Sequence, residues 1–170
     1  MTQWCVANSE ILDLKADVLI CSANPNLNLS GGVGGAFLLR YGPEMQAYLH
    51  HFLRANSRRY IEPGNAVLTP PCGSPFVAVA HAVAIDAFYD TNATQIRRAY
   101  ADALHQLELA SCRRIVAACL GCGYGRCPII EFTKAILELV ALPFPGVENV
   151  TLASTNSELT DAIATALAAR

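Results

Sequence analysis

Two glycine-rich segments are the strongest candidates for ligand chemistry in this 170-residue sequence. The first is SANPNLNLSGGVGGAFLLRYG, residues 22–42, and the second is LGCGYGRCP, residues 120–128. Each follows an apolar run typical of a β-strand and precedes a segment of helical periodicity. Glycines let backbone amides approach an anion closely, and a helix N-terminus adds unpaired N–H donors and a favourable dipole. We interpret both as phosphate-binding loops, the first loop (residues 23–35) and the second loop (residues 120–127).

The two loops together indicate a diphosphate. In a parallel sheet, both strand-to-helix turns lie at the same carboxyl edge, so the loops can converge on one ligand. The alternative is that the glycines only form tight turns, which explains one such loop better than two. Other phosphate-binding motifs fit worse, since GxxxxGK followed by Ser or Thr is absent and Phe37 and Arg126 occupy the third glycine position of GxGxxG. A nucleotide hydrolase or a Rossmann dehydrogenase is therefore disfavoured.

The elements that must position these loops alternate along the chain. Short apolar runs alternate with segments of helical period, which predicts an α/β fold with a mostly parallel sheet and helices on both faces. We expect five or six strands, at residues 3–7, 18–22, 66–69, 77–83, 114–119 and 150–154. Helices are predicted at residues 92–111, from Pro128 to Pro143, and from Thr155 onward, where Glu158 would complete a capping box. We predict a single domain spanning residues 1–170.

Composition restricts the classes of partner. The hydrophobic content of 53% is ample for a core, while a net charge of −2 and a pI near 6.0 make nucleic acid an unlikely default partner. The sequence has no run of 18 or more uncharged apolar residues, and its N-terminus lacks the pattern of a secretion signal. We therefore expect no membrane partner and a cytoplasmic location.

The seven cysteines leave a second class of function open. Cys119 and Cys122 form a CxxC motif with Cys127 close behind, which is compatible with thiol redox chemistry or zinc binding. Because no fourth ligand follows at a suitable spacing, we favour free packing thiols and predict neither a metal nor a cofactor. A thiol redox or metal-binding α/β protein remains the alternative.

The order and spacing of the motifs resemble the macro domain family from about Ser9 to the C-terminal helix. VLICSANPNL resembles the family's VNAANxxL element, LSGGVGGAF its first phosphate loop and LGCGYG its second. PGNAVLTPPCGSPFVAVAHAV is similar to its middle β-hairpin. The resemblance implies a three-layer α/β/α fold around a central mixed, mostly parallel sheet of about six strands. It also implies ADP-ribose, free or attached to a protein, as the partner.

The resemblance further implies roles for residues at the two ends of the ligand. Glu10 would accept a hydrogen bond from the adenine amino group, although an exposed acid at a strand end is the alternative. Thr155 and Asn156 would border the base. Asn24 would face the distal ribose, although a turn-forming role beside Pro25 is the alternative.

The two loops would hold the diphosphate between them. Tyr124 would cover the diphosphate or the distal ribose, with packing in the core as its alternative. His81 is expected to be a structural core residue, and His50 and His51 are expected on a helix surface. The loop residues that the resemblance places at the ligand are Ala23, Gly31, Gly32, Val33, Gly34, Gly35, Gly121, Cys122, Gly123, Tyr124 and Gly125.

Catalysis is the less supported part of the resemblance. One large class of active relatives has an Asp where this chain has Gly34, and some active members have a His where it has Ser30. Asn24 is then the one candidate catalytic residue, able to orient a water or a ribose hydroxyl but not to act as a general base. We expect binding first, and modest hydrolysis of mono-ADP-ribosyl esters or ADP-ribose 1″-phosphate second.

Overall fold

The computed structural model describes residues 2–170, within which six strands and five α-helices alternate. The strands are β1 (Gln3–Asn8), β2 (Val18–Ala23), β3 (Asn65–Thr69), β4 (Ala78–Val83), β5 (Arg114–Ala118) and β6 (Asn149–Ser154). The helices are α1 (Gly32–Tyr41), α2 (Glu44–Ala55), α3 (Ala93–Leu109), α4 (Ile129–Val140) and α5 (Ser157–Ala168), with a short 3₁₀ helix at Ile11–Asp13.

The strands form one sheet in the order β1-β6-β5-β2-β4-β3, in which only the β3–β4 pair is antiparallel. The connections from β4 to β5 and from β5 to β6 run in the same direction along the sheet, so right-handed crossovers place α3 and α4 on one face. The connection from β2 to its parallel neighbour β4, which passes through α1, α2 and β3, runs the opposite way and places α1 and α2 on the other face. The predicted mixed, mostly parallel sheet with helices on both faces is confirmed.

The core lies on the central strands and the inner stripes of the helices. All six residues of β4 are buried, as expected for a strand covered on both faces. On α3, the predicted apolar stripe of Ile96, Tyr100, Ala103, Leu104 and Leu107 is buried in full. None of the helices within residues 2–170 has the length and apolar character that a membrane span requires.

The start of α5 differs from the prediction. The N-cap is Asn156, whose side-chain oxygen accepts a hydrogen bond from the backbone N–H of Leu159 at 3.2 Å. The predicted capping box between Thr155 and Glu158 is wrong, because the helix begins one residue later, where Asn is a better cap than Thr.

Candidate ligand-binding site

A cavity of about 690 Å³ opens at the carboxyl edge of the sheet. Its volume is in the range of clefts that hold nucleotide-sized ligands. Fourteen of the fifteen predicted ligand residues line it: Glu10, Ala23, Asn24, Gly31, Gly32, Val33, Gly34, Gly121, Cys122, Gly123, Tyr124, Gly125, Thr155 and Asn156. The exception is Gly35, which lies inside α1 and donates its N–H to the carbonyl of Gly31 at 3.0 Å. The structure therefore gathers both loops at one site but leaves Gly35 out of it.

The amide of Asn24 organises the first loop. Its Nδ2 donates to the carbonyl of Asn28 at 2.9 Å, and its Oδ1 accepts from the N–H of Asn28 at 3.1 Å. The turn-forming role is thus present in the structure, although Asn24 also lines the cavity. One amide hydrogen and one lone pair of Asn24 remain for a ligand.

The first loop then enters α1 without a side-chain cap. Gly31 is extended, and Gly32 has a φ of +52°, a left-handed conformation that favours glycine. Among the described residues no side chain caps α1, and its first turn contains no acidic residue. The first N–H groups of the helix are therefore free to receive an anion at the positive end of its dipole.

The second loop is held by a buried tyrosine and by close packing. The hydroxyl of Tyr100 donates to the carbonyl of Ala118, where β5 ends, and accepts from the N–H of Leu120 at 3.2 Å. A Cβ added to Gly125 would lie 2.7 Å from the carbonyl oxygen of Gly121 and 2.8 Å from a methyl carbon of Ile85. The packing of the second loop therefore requires glycine at position 125, whether or not a ligand is bound.

The two loops meet through Tyr124. A Cβ added to Gly31 would lie 2.7 Å from the Tyr124 hydroxyl, so the ring of Tyr124 reaches across from the second loop and covers Gly31. The side chain is 66% exposed, which excludes the alternative that it packs in the core. Tyr89 lies beside it, with the ring centroids 6.3 Å apart at an interplanar angle of 60°. These two rings flank the side of the cavity that the two loops form.

The opposite end of the cavity is polar and contains no aromatic side chain among the described residues. Glu10 is exposed at the start of the 3₁₀ helix, and Thr155 follows β6. The Oδ1 of Asn156 is used to cap α5, which leaves its Nδ2 for a ligand. A base at this end would be held by hydrogen bonds and edge contacts rather than by stacking.

The sequence analysis missed several lining residues. Ser22, Ala118, Cys119 and Ser154 lie at or just after the carboxyl ends of β2, β5 and β6. The rule that ligands bind at that edge could have found them. The same rule applies to Ser9, Ile85 and Ala153, at or just after the carboxyl ends of β1, β4 and β6. The other missed positions are Ile11, Asn28, Ser30, Ala36, Tyr89 and Leu159.

The three thiols at the second loop are held neutral by burial. Burial raises the pKa of the Cys119 thiol to about 12 and also raises the pKa values of Cys122 and Cys127. Among residues 2–170 there is no cluster of three or more His, Cys, Asp or Glu side chains that could hold a metal ion. Nothing in the site supports the thiol redox or metal alternative.

His81 lies in the core, as expected, with its side chain fully buried in β4. Its Nε2 is 3.4 Å from the Thr69 hydroxyl and 3.3 Å from the Met45 sulfur. Burial lowers its pKa to about 3, so the imidazole is neutral in the folded protein. It does not line the cavity and has a structural role.

Comparisons with known proteins agree with this fold. A family model described as "Macro domain" matches residues 20–136. The Trypanosoma brucei macrodomain in complex with ADP-ribose superimposes with a TM-score of 0.79 at 18% identity, covering 97% of this chain and 69% of that one. A variant of the Oceanobacillus iheyensis macrodomain with ADPR gives a TM-score of 0.83 at 17% identity, covering 98% and 91%.

Curated relatives are longer than this chain. An uncharacterized protein of Mycobacterium tuberculosis is 26% identical over 146 residues, which is 86% of this chain and 39% of the relative. An uncharacterized protein of Mycobacterium bovis matches with the same identity and coverage. The chain therefore spans about two fifths of the length of these relatives.

Proposed function

This chain belongs to the macro domain family, and from that premise we propose that it binds ADP-ribose, free or attached to a protein, in the cavity between its two loops. The observation that carries the proposal is the meeting of both glycine loops at one cavity, with the uncapped start of α1 at its wall. The Trypanosoma brucei and Oceanobacillus iheyensis macrodomains, which share this fold, are seen with ADP-ribose and lend support.

The cavity suits an anion that is bound by backbone rather than by cations. Neither lysine nor arginine lines it among the described residues. A diphosphate there would be stabilised by the N–H groups of α1 and of the second loop, and by the helix dipole. The adenosine would extend towards Glu10 and Thr155, and the distal ribose towards Asn24.

Calorimetric titration with ADP-ribose tests the proposal, together with a melting curve. A ligand that binds only the native state stabilises it by RT ln(1 + [L]/Kd), about 2.7 kcal/mol at ~100 times Kd. AMP, which has one phosphate, serves as the matched ligand and should bind more weakly. If millimolar ADP-ribose changes neither the heat nor the melting temperature, the proposal is wrong.

Hydrolysis of an ADP-ribosyl ester is a secondary proposal, at a modest rate. One hydrogen and one lone pair of the Asn24 side-chain amide are already bonded to the backbone of Asn28. This chain also has Gly34 at the position where one active class of relatives has an acid. The wild-type protein should therefore release ADP-ribose slowly, or not at all, from modified carboxylates. A release assay on a substrate ADP-ribosylated at acidic residues measures this.

Two pairs of variants sharpen the assay. Gly34 has no left-handed φ, but a Cβ there would lie 3.2 Å from Cδ2 of Leu29, so any substitution must displace that methyl group slightly. Gly34→Ala therefore controls for crowding while Gly34→Asp adds the carboxylate, which should raise turnover, by ~100-fold if the geometry is right.

Asn24→Ala should weaken binding and abolish release, while Asn24→Asp retains the oxygen that Asn28 uses. Fast wild-type release that survives Asn24→Ala would remove the catalytic role of Asn24.

A further inference from the structure

The connection between β4 and α3, residues 84–92, forms a third loop beside the cavity. It packs against the second loop at both of its ends. A Cβ added to Gly125 would lie 2.8 Å from a methyl carbon of Ile85, and one added to Gly121 would lie 3.1 Å from the methyl carbon of Thr91. The third loop therefore has a fixed position relative to the second.

Asp86 shapes the middle of the third loop. Its Oδ1 accepts from the N–H of Phe88 at 2.8 Å and from the N–H of Asp90 at 2.9 Å. Its backbone N–H donates to the carbonyl of Asp90 at 2.9 Å, and its carbonyl accepts from the N–H of Tyr89 at 3.1 Å. One carboxylate oxygen and two backbone bonds thus close a tight turn at residues 86–90.

This turn holds Tyr89 in a strained backbone conformation. Its φ is +66°, in the left-handed region that an aromatic residue rarely adopts and that glycine adopts freely. The ring of Tyr89 lines the cavity and lies beside the ring of Tyr124. Strained residues of this kind concentrate at ligand sites, where the contact made by the side chain offsets the strain. The turn therefore presents an aromatic side chain where glycine would suit the backbone better.

The order of the strands places Tyr89 relative to a bound ligand. Glu10 and Thr155, which would border the base, follow β1 and β6 at one side of the sheet. The second and first loops follow β5 and β2, the next strands in the sheet, and the third loop follows β4, the strand beyond β2. A ligand with its base at β1 and β6 and its diphosphate over β5 and β2 therefore extends its distal ribose towards the third loop.

We propose that Tyr89 contacts the distal ribose and distinguishes ADP-ribose from nucleoside diphosphates that lack this sugar, and that Asp86 is its positioning residue. The inference rests on the proposed function and extends it to specificity. A ribose has C–H groups as well as hydroxyls, which suits a tyrosine with its apolar ring and polar tip. Tyr124 covers Gly31 of the first loop, and Tyr89 would continue this aromatic wall to the end of the ligand.

The test compares ADP-ribose with ADP, which has the same adenosine and both phosphates but no distal ribose. Calorimetric titration of the wild-type protein should show a preference for ADP-ribose. Tyr89→Gly removes the ring and suits the φ of +66°, so a melting curve should show that the fold is retained. In this variant the affinity for ADP-ribose should fall about 5- to 10-fold, while the affinity for ADP should stay unchanged.

Two further variants are the controls. Phe88→Ala removes the adjacent aromatic side chain, which is 83% exposed and does not line the cavity, so the preference for ADP-ribose should not change. Tyr89→Phe keeps the ring and should keep most of that preference.

Asp86 is tested by a pair of substitutions. Asp86→Ala removes the oxygen that accepts from Phe88 and Asp90 and should reduce the preference for ADP-ribose as Tyr89→Gly does. Asp86→Asn keeps an acceptor oxygen at the same place and should restore the preference. In the free protein, NMR contacts between the rings of Tyr89 and Tyr124 should weaken in Asp86→Ala and persist in Asp86→Asn.

The outcomes separate this inference from the proposed function. A preference for ADP-ribose over ADP that is unchanged in Tyr89→Gly, or that falls equally in Phe88→Ala, overturns the role of Tyr89 and leaves ADP-ribose binding intact. A preference and ring contacts unchanged in Asp86→Ala overturn the role of Asp86. A wild-type protein that binds neither ligand overturns the proposed function and, with it, the specificity inferred from Tyr89.

Discussion

The first and second loops line the same cavity, yet the protein holds them by different means. Polar side chains hold the first loop, through the Asn24 amide from within and the Gln46 amide from α2. The second loop is held by the Tyr100 hydroxyl and by packing that leaves no room for a side chain at Gly125. Side-chain amides therefore fix one wall of the site, whereas a tyrosine hydroxyl, backbone hydrogen bonds within the loop and close packing fix the other.

The same contrast separates the glycines into two groups. A Cβ added to Gly32 or Gly123 would meet no protein atom within 4 Å, whereas one added to Gly31 or Gly125 would meet an atom at 2.7 Å. The open glycines leave space that a ligand can use, and the crowded glycines are needed for the contacts between loops or within them. A glycine-rich motif thus serves both purposes at once, and substitution at single positions can distinguish them.

The largest effect is expected from Gly123→Glu. Because position 123 is open and has no left-handed φ, the fold should be unchanged, while the new carboxylate would stand where the phosphate binds. Two like charges ~4 Å apart at an effective dielectric constant of ~20 repel by about 4 kcal/mol, which is roughly a 1000-fold loss of affinity. Titration with ADP-ribose measures the loss, and circular dichroism checks the fold.

Gly123→Gln is the uncharged control and should lose much less. Gly32→Glu should also abolish binding, but with an additional loss of stability of about 1 kcal/mol because its φ is +52°. Normal affinity in Gly123→Glu would mean that the second loop is only a turn.

Gly125→Ala should have the next largest effect, on stability. The added methyl group would collide with the carbonyl oxygen of Gly121 and with Ile85, and overpacking of this kind costs about 1–3 kcal/mol. Urea unfolding gives the free energy of unfolding of Gly125→Ala and of Gly123→Ala. Only the Gly125→Ala variant should be less stable than the wild type. Equal stability of the two variants would remove the distinction between crowded and open glycines.

Tyr100→Phe should have a smaller effect on the same loop. Removal of the hydroxyl leaves the Ala118 carbonyl and the Leu120 N–H without a partner in a buried place, at a cost of about 1–2 kcal/mol. ADP-ribose affinity should fall several-fold because the second loop loosens. Unchanged unfolding and unchanged affinity would show that packing alone holds this loop.

The smallest effect concerns thiols, which the second loop has and the first lacks. Burial raises the pKa of Cys119, which directly precedes the second loop, to about 12, and only the thiolate reacts with iodoacetamide. At pH ~7.5 its thiolate fraction should be about 1000-fold below that of an ordinary thiol, so alkylation should be slow in the native protein and faster after unfolding, and the native rate should rise with pH. Rapid native alkylation at pH ~7.5, read by peptide mass spectrometry, would revive the thiol alternative.

Much of the fold could be predicted because buried parallel strands are continuous apolar runs. Residues 18–22 and 77–83 predicted β2 and β4 to within one residue at each end. The α3 stripe followed from helical spacing, and the edge rule predicted that the loops would meet. The N-cap of α5 was misplaced, since Thr155 and Asn156 are both good caps and only the backbone conformation decides between them.

The residues that hold the two loops in place could not be predicted from the sequence. Gln46 is 17 residues from its partner Leu29, and Tyr100 is 18 residues from Ala118. Such contacts depend on how a helix packs against a loop, for which neither periodicity nor a motif gives a signal. His50 was predicted to be a helix-surface residue, and it is half-buried against the first loop. Gly35 shares the motif of its neighbours, but its N–H is already bonded to the carbonyl of Gly31.

The central claim is that one diphosphate contacts both loops. The most direct measurement is the ³¹P NMR spectrum of ADP-ribose, recorded with and without an excess of the wild-type protein. We expect both phosphorus resonances to shift or broaden on addition of protein, because each phosphate would receive N–H donors from a different loop. Two resonances that stay at their free positions in the presence of excess protein would contradict the account.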